Sequence, residues 1–314
     1  MEAGPAAPRV HAVVVNWNGG EDTARCLLSL LGQGLPAERL HLVDNGSRDD
    51  SLARARAAAP GAQVLALGEN TGFGAAANAG AERALAAGAD LLLFVNNDAL
   101  LARGCLERLL GEAERAPEVG LLGPRIVLPG SPSRLWAAGG VLGFGPNLSR
   151  LRGGGLPDAP GWQGTVDVDY VPGCVLLARA AAWRATGGFD AAYFAYTEDV
   201  DLGLRARALG IGSRVVGSAL AVHAASSATG GGYNPRRKFL MGRGAVRFLR
   251  IHGGAARWLA WLVCDVLALP LALLAAWPRG EARAVFAKGL GTLDGLLGRS
   301  FDPKRLESGH GPAW

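Results

Sequence analysis

Amide and carboxylate side chains recur directly after short apolar runs: Asn16 and Asn18, Asp44 and Asn45, Asn70, and the triplet Asn96-Asn97-Asp98. Further along, Glu198-Asp199-Val200-Asp201 packs three carboxylates into four positions. A carboxylate in a cleft suits removal of a proton from a hydroxyl. A carboxylate at a strand end joined by an imidazole suits a hard divalent cation, although a lone His is more often structural than a ligand. Each group also has a plainer explanation. Asn and Asp are ordinary turn residues, and acids at a helix start are favoured by the dipole, so Glu198 and Asp201 also fit capping. Recurrence at successive strand ends exceeds what turns require, and it points to a ligand site.

The elements that position these residues alternate. VHAVVVN (10–16), RLHLVDN (39–45), AQVLAL (62–67) and DLLLFVNND (90–98) read as strands, with helices expected at 21–31, 49–59 and 74–88. Continuous apolar strands alternating with helices imply a parallel sheet covered on both faces. Such sheets bind ligands beyond the carboxyl ends of their strands, where the polar groups above fall. Residues 130–165, rich in Gly, Pro and Ser, read as a long irregular connection. Strand character returns at 166–179, and 187–210 runs from an aromatic-rich loop (Phe189, Tyr193, Phe194, Tyr196) into a helix closed by Gly210. A strand pair, 213–216 and 219–223, then leaves His223 at a strand end.

With 314 residues, 49% hydrophobic and 19% charged, the chain is long and apolar enough for a substantial core, and bulk disorder is excluded. Its four cysteines form no C-x-x-C pair, which argues against a thiolate zinc site and a secreted disulfide scaffold. No signal-peptide pattern opens the sequence, so a cytoplasmic setting is expected. Charge divides unevenly: residues 1–233 hold 19 basic and 22 acidic side chains, residues 234–314 hold 13 and 5. The acidic part does not suit nucleic acid. In the basic part, Arg236, Arg243, Arg247, Arg250 and Arg257 recur at helical spacing and are expected to share one face. The apolar run 259–277, interrupted by Asp265 and Pro270, barely matches a ~30 Å hydrocarbon core at ~1.5 Å per residue. It is expected to form an interfacial or re-entrant helical hairpin, and with the arginines to meet an anionic membrane.

Taken together, VVVNWNG (13–19), VDNGSRDDS (43–51), ENTGFGAAANAG (69–80), FVNND (94–98), GCVLLAR (173–179), GGFDAAYFAYTEDVDLGLR (187–205) and His223 resemble the family 2 inverting glycosyltransferases of GT-A fold, rhamnosyltransferase-like branch. That resemblance implies an α/β fold with a Rossmann-like, mostly parallel sheet flanked by helices. The transferase domain would cover 1–233, with a nucleotide-sugar half at about 10–127 and an acceptor half at about 165–225. A helical, membrane-associating extension would follow at 234–314.

The resemblance also assigns roles. Asp199 is the expected general base, and Asp98 with His223 the expected ligands of Mn²⁺ or Mg²⁺. Asp44 is expected to accept a hydrogen bond from the N3–H of uracil or thymine, and Asn97 to touch the ribose. Asn16, Asn70, Gly72 and Asn78 complete the donor side, while Glu198 and Tyr196 face the acceptor. Where the family often has Asp at the first or second triplet position, both residues are Asn here, leaving fewer charges on a metal. The implied donor is a nucleotide-diphosphate sugar, dTDP-L-rhamnose ahead of UDP-sugars. The implied acceptor is a saccharide or lipid-linked saccharide at the inner face of the plasma membrane. A non-catalytic, membrane-associated sugar-nucleotide-binding or scaffold protein is the alternative.

Overall fold

The computed structural model describes residues 7–130, 132–143, 149–224 and 233–306. Strands β1 (Val10–Asn16), β2 (Leu40–Asp44), β3 (Gln63–Ala66) and β4 (Leu91–Asn96) alternate with helices α1 (Asp22–Leu31), α2 (Ser51–Ala58) and α3 (Phe73–Ala86). The chain continues through β5 (Ala99–Leu101), α4 (Cys105–Arg115), β6 (Val119–Val127), β7 (Leu135–Ala137), β8 (Gly140–Leu142), β9 (Ser149–Leu151) and β10 (Thr165–Asp167). Then come β11 (Val175–Arg179), α5 (Ala180–Thr186), α6 (Glu198–Ala208) and β12 (Gly212–His223). The C-terminal part adds α7 (Pro235–His252), α8 (Ala255–Trp261), α9 (Leu269–Ala276) and α10 (Ala282–Leu296).

The main sheet runs β10-β12-β6-β11-β4-β1-β2-β3. It is parallel from β4 through β3, antiparallel on both sides of β11, and parallel again between β6 and β12. The alternating strand residues explain the continuous apolar runs. Ala12, Val14, Leu91 and Leu93 pack under α1, α2 and α4, whereas Val13, Val43, Leu92 and Phe94 pack under α3, α5 and α6. Both faces are therefore dry, which is where β-branched and leucine side chains contribute most.

Three expectations shift in detail. The irregular connection at 130–165 carries three short strands among its described residues. Residues 166–179 divide into β10 and β11, because a turn at Gly173–Cys174 intervenes. The strand pair near 213–223 is one long strand whose register against β6 slips between Val216 and Leu220. That slip lets the end of β12 pair with β5 and sets His223 opposite Ala99.

The C-terminal helices pack on the transferase half. On α7, Phe239 and Leu240 cluster with Phe194, and Phe248 with Tyr193. His252 Nε2 lies 2.7 Å from Asp201 Oδ1, and Arg247 pairs with Asp190 at 2.6 Å. Helix α10 approaches so closely that a Cβ on Gly242 or Gly291 would sit against the carbonyls of Lys288 and Phe239.

The shared arginine face needs correction. Gly253 and Gly254 end α7 before Arg257, which falls on α8. The other arginines are largely used internally: Arg243 and Arg250 donate to the carbonyls of Arg299 and Leu296, and Arg257 to that of His252. Among the described residues no single helix is long and apolar enough to cross a membrane. A pair bent by 42° (Ala255–Leu267 and Leu269–Arg279) passes by length and composition. Pro270 sits in the first turn of α9, where its missing N–H costs nothing. Asp265 bonds Lys288 of α10, while Leu271, Leu274 and Trp277 are at least 70% exposed.

Candidate active site

A cleft of about 590 Å³ opens beyond the carboxyl ends of β1–β4. Trp17, Asn45, Asn70 and Asn96–Asp98 line one side. Gly173, the loop 194–200, His223 and the start of α7 line the other. This is the location that sheet topology prescribes for a ligand.

Beneath the donor side lies a buried polar network. Asn16 Nδ2 donates to Asp44 Oδ1 at 2.9 Å and contacts the hydroxyls of Ser47 and Ser51. Its Oδ1 accepts from Thr23 Oγ1 at 2.7 Å, and the Thr23 hydroxyl in turn accepts from Asn97 Nδ2 at 3.1 Å. Asn16 is fully buried; it holds Asp44 and Asn97 from below and does not itself face the cleft. Asp44 also accepts from the N–H of Ser47 at 3.3 Å, and a carboxylate retains lone pairs for a further donor.

Gly72 and Asn78 act on the protein's own loop. At Gly72, φ is +89°, and a Cβ there would lie 2.5 Å from the Phe194 carbonyl oxygen. Phe73 N donates to that same oxygen at 2.7 Å. Asn78 clamps Phe189 from both sides, donating to its carbonyl at 2.8 Å and accepting from its N–H at 3.0 Å. Asn70 caps the turn, its Oδ1 accepting from Asn45 and from Gly72 N. Of these three, Asn70 alone lines the cleft. The loop so held is strained: Phe194, Tyr196 and Thr197 all have positive φ, a cost of ~1–3 kcal/mol each that persists where the surroundings enforce it.

The clustered acids separate in space. Asp201 turns away to Arg205 and His252 and fastens α6 to α7. Asp199 faces the cleft with Oδ2 accepting from Gly173 N at 2.9 Å and Oδ1 from Val200 N at 2.8 Å. Burial raises its carboxyl above the usual aspartate range, and those two N–H groups pull it back down. Glu198 has less such help, only its own backbone N–H pulling it down. Its Oε2 is buried without a partner among the described residues, and burial, then the Asp199 charge, push it up to about 8. At neutral pH Glu198 therefore holds its proton.

Asp98 and His223, 125 positions apart in sequence, meet across the β5–β12 pairing. His223 Nε2 is 3.0 Å from Asp98 Oδ1, close but not aligned as a hydrogen bond. Trp136 stacks edge-on against the imidazole at 4.6 Å.

The family model for "Glycosyl transferase family 2" matches residues 12–184. The chain belongs to glycosyl transferase family 2. It is 33% identical over 244 residues to the N-acetylglucosaminyl-diphospho-decaprenol L-rhamnosyltransferase of Mycobacterium tuberculosis, covering 69% of this chain and 76% of that one. It is 30% identical over 225 residues to the pre-mycofactocin glycosyltransferase of the same organism, covering 70% of this chain and 44% of that one. The fold resembles GalNAc-T7 with UDP, GalNAc and Mn²⁺ (TM-score 0.63, 13% identity, 81% of this chain and 49% of that one). It also resembles the Pyrobaculum calidifontis mannosyltransferase PcManGT with GDP-Man and Mn²⁺ (TM-score 0.55, 15% identity, 94% and 89%). The chain is thus a glycosyltransferase of the rhamnosyltransferase-like branch with a GT-A fold.

Several cleft residues of this family 2 enzyme escaped the sequence reading. Trp17, Arg150 and Tyr170 carry no motif signal of their own. Arg237 and Lys238 also line the cleft; the helical spacing singled out Arg236 and Arg243 on either side of them and not these two.

Proposed function

We propose that the enzyme transfers a sugar, L-rhamnose from dTDP-L-rhamnose in the first instance, to a hydroxyl of a saccharide carried on a lipid diphosphate, with inversion. The carrying observation is Asp199: half-buried, held by two backbone N–H groups, and facing the cleft that Asp98 and His223 also line. The donor preference rests on the rhamnosyltransferase relative and on Asp44, whose carboxylate suits the imide N–H of thymine. Uracil shares that edge, so UDP-sugars are the competing donors.

In the reaction the acceptor hydroxyl gives its proton to Asp199 as its oxygen bonds the anomeric carbon. The bond from that carbon to the nucleoside diphosphate breaks on the opposite face, which inverts the centre. Glu198, protonated, adds no second negative charge beside the base and presents a hydrogen-bond donor to the acceptor. Tyr196 forms the acceptor-side wall.

The residues present fit a divalent metal: both buried nitrogens of His223 lack a hydrogen-bond partner among the described residues, with an Asp98 oxygen beside one of them. No group of three or more His, Cys, Asp or Glu side chains gathers among the described residues. Asp98 and His223 would therefore hold Mn²⁺ or Mg²⁺ with diphosphate oxygens completing the shell. When bound, the ion would neutralise charge developing on the leaving diphosphate. The exposed apolar face of α8 and α9 would bring the enzyme to the inner face of the plasma membrane, where a lipid-linked acceptor resides.

Thermal shift with dTDP, UDP, GDP and ADP, with and without Mn²⁺, tests the donor site. A ligand at ~100 times its Kd adds ~2.7 kcal/mol. A Mn²⁺-dependent shift with dTDP or UDP that Asp98→Ala removes is the expected result. Asp199→Asn should lower transfer by ~10²–10⁴-fold and leave that shift intact; a fully active variant would refute the base.

A further inference from the structure

The first turn of α7 delivers two cations to a cleft that already holds the acidic base. Arg237 and Lys238 both line it, half-buried. Among the described residues neither pairs with a carboxylate, and Arg237 Nε is buried without a hydrogen-bond partner. The Arg237 guanidinium lies 5.4 Å from the centre of the Tyr196 ring, three residues from Asp199. Burial, with Lys288 and Arg237 nearby, lowers Lys238 to about 8. The charges of Asp265 and Glu281 reach Lys238 but neither is paired with it, and two adjacent cations without a paired carboxylate, in a confined space, suit a multivalent anion.

We propose that Arg237 and Lys238 form the subsite for the diphosphate of the lipid-linked acceptor, and so select acceptors whose sugar is attached through that group. The inference rests on the reading of this cleft as a transferase site for lipid-diphosphate acceptors. Its warrant is spatial order. Arg237 lies over Tyr196, three residues before Asp199, and Lys238 follows Arg237 on the same turn. Beyond Lys238 the Asp265–Lys288 contact belongs to the apolar hairpin. A lipid-linked saccharide presents the same sequence of chemistry: reacting hydroxyl, diphosphate, hydrocarbon. The hydroxyl meets Asp199, the diphosphate meets the two cations, and the chain leaves toward the exposed leucines of α8 and α9.

The test measures binding and needs no turnover. A short prenyl diphosphate and the corresponding prenyl alcohol are titrated calorimetrically into the full-length wild type, Arg237→Gln with Lys238→Gln, Arg237→Lys, and Asp98→Ala. Glutamine keeps most of each stem, so packing on Tyr196 survives. The expected result is a diphosphate affinity about ten- to a hundred-fold weaker in the double variant. Arg237→Lys should retain much of the affinity and Asp98→Ala all of it, while binding of the alcohol stays level throughout and binding of dTDP stays level in the Arg237 and Lys238 variants. The inference is overturned if the wild type does not bind the diphosphate, if the double variant binds it normally, or if the alcohol is lost in parallel. Loss of dTDP binding in the double variant would assign the cations to the donor and overturn it as well. A wild type that shows the expected binding pattern but transfers no sugar would remove the transferase reading and leave this subsite standing.

Discussion

Glu198 stores a stability penalty that a single isosteric change should release. Its carboxyl is buried beside Asp199, with Oε2 unpartnered among the described residues, and stands at about 8 against an ordinary 4.5. In the unfolded chain the group ionises near pH 4.5; in the native protein it keeps its proton until about pH 8. The native state thus binds more protons through that window, so stability falls as pH rises across it and levels off above it. At ~1.36 kcal/mol per pH unit, the loss reaches about 3 kcal/mol at pH 7. Glu198→Gln mimics the protonated acid and carries no such loss. With ~2.1 cal/mol/K of unfolding entropy per residue, the variant should melt about 5 °C above wild type at pH 7. The two should coincide near pH 4.5. Scanning calorimetry from pH 4.5 to 9 is the assay. A gap that does not change with pH would refute the argument, because packing differences lack a proton term.

Gly72→Ala places a Cβ against the Phe194 carbonyl at φ +89°; ~2–3 kcal/mol of destabilisation in urea melts, with reduced transfer, is expected. Asn16→Ala removes one buried hydrogen-bond partner from each of Asp44 and Thr23, so ~1–3 kcal/mol of stability should be lost and dTDP should bind more weakly in calorimetry. Leu271→Asp with Leu274→Asp should abolish flotation with phosphatidylglycerol vesicles while transfer to a water-soluble acceptor persists. Raising salt should weaken flotation less than those substitutions do, because Arg243, Arg247, Arg250 and Arg257 are already bonded within the protein.

The parallel half was legible because its signals are local. Apolar runs such as 90–98 read as strands, and the chain must turn where Asn97 and Asp98 stand. The β12 end was legible only in part. That His223 meets Asp98 depends on a register slip between Val216 and Leu220, and no composition or period marks a slip. Likewise the run Glu198–Asp201 shows acids near a helix start, but which acid faces the cleft depends on what packs around α6. Asp201 is drawn off by His252, 51 positions later, a partner no spacing rule connects to it.

Helix α7 shows why a basic face is a weaker signal than a carboxylate at a strand end. Helical periodicity states which residues share a side, not what that side meets. The same arginines that would suit an anionic surface suit equally the carbonyls of α10, the carboxylate of Asp190 or a diphosphate in the cleft. Three features of this chain decide among those: the glycines that let α10 close on α7, the break at Gly253–Gly254, and the packing of Phe239 against Phe194. The first two leave Arg243 and Arg250 bonded to carbonyls at the C-terminal end of α10 and just beyond it, and the third brings Arg237 and Lys238 to the cleft edge. The proposed membrane attachment would then fall to leucines on α8 and α9, and the charge of α7 at the cleft would be left for the proposed acceptor. Positive charge in this extension is therefore better assigned to holding the acceptor in place than to holding the enzyme on the bilayer, and the salt dependence of flotation separates the two.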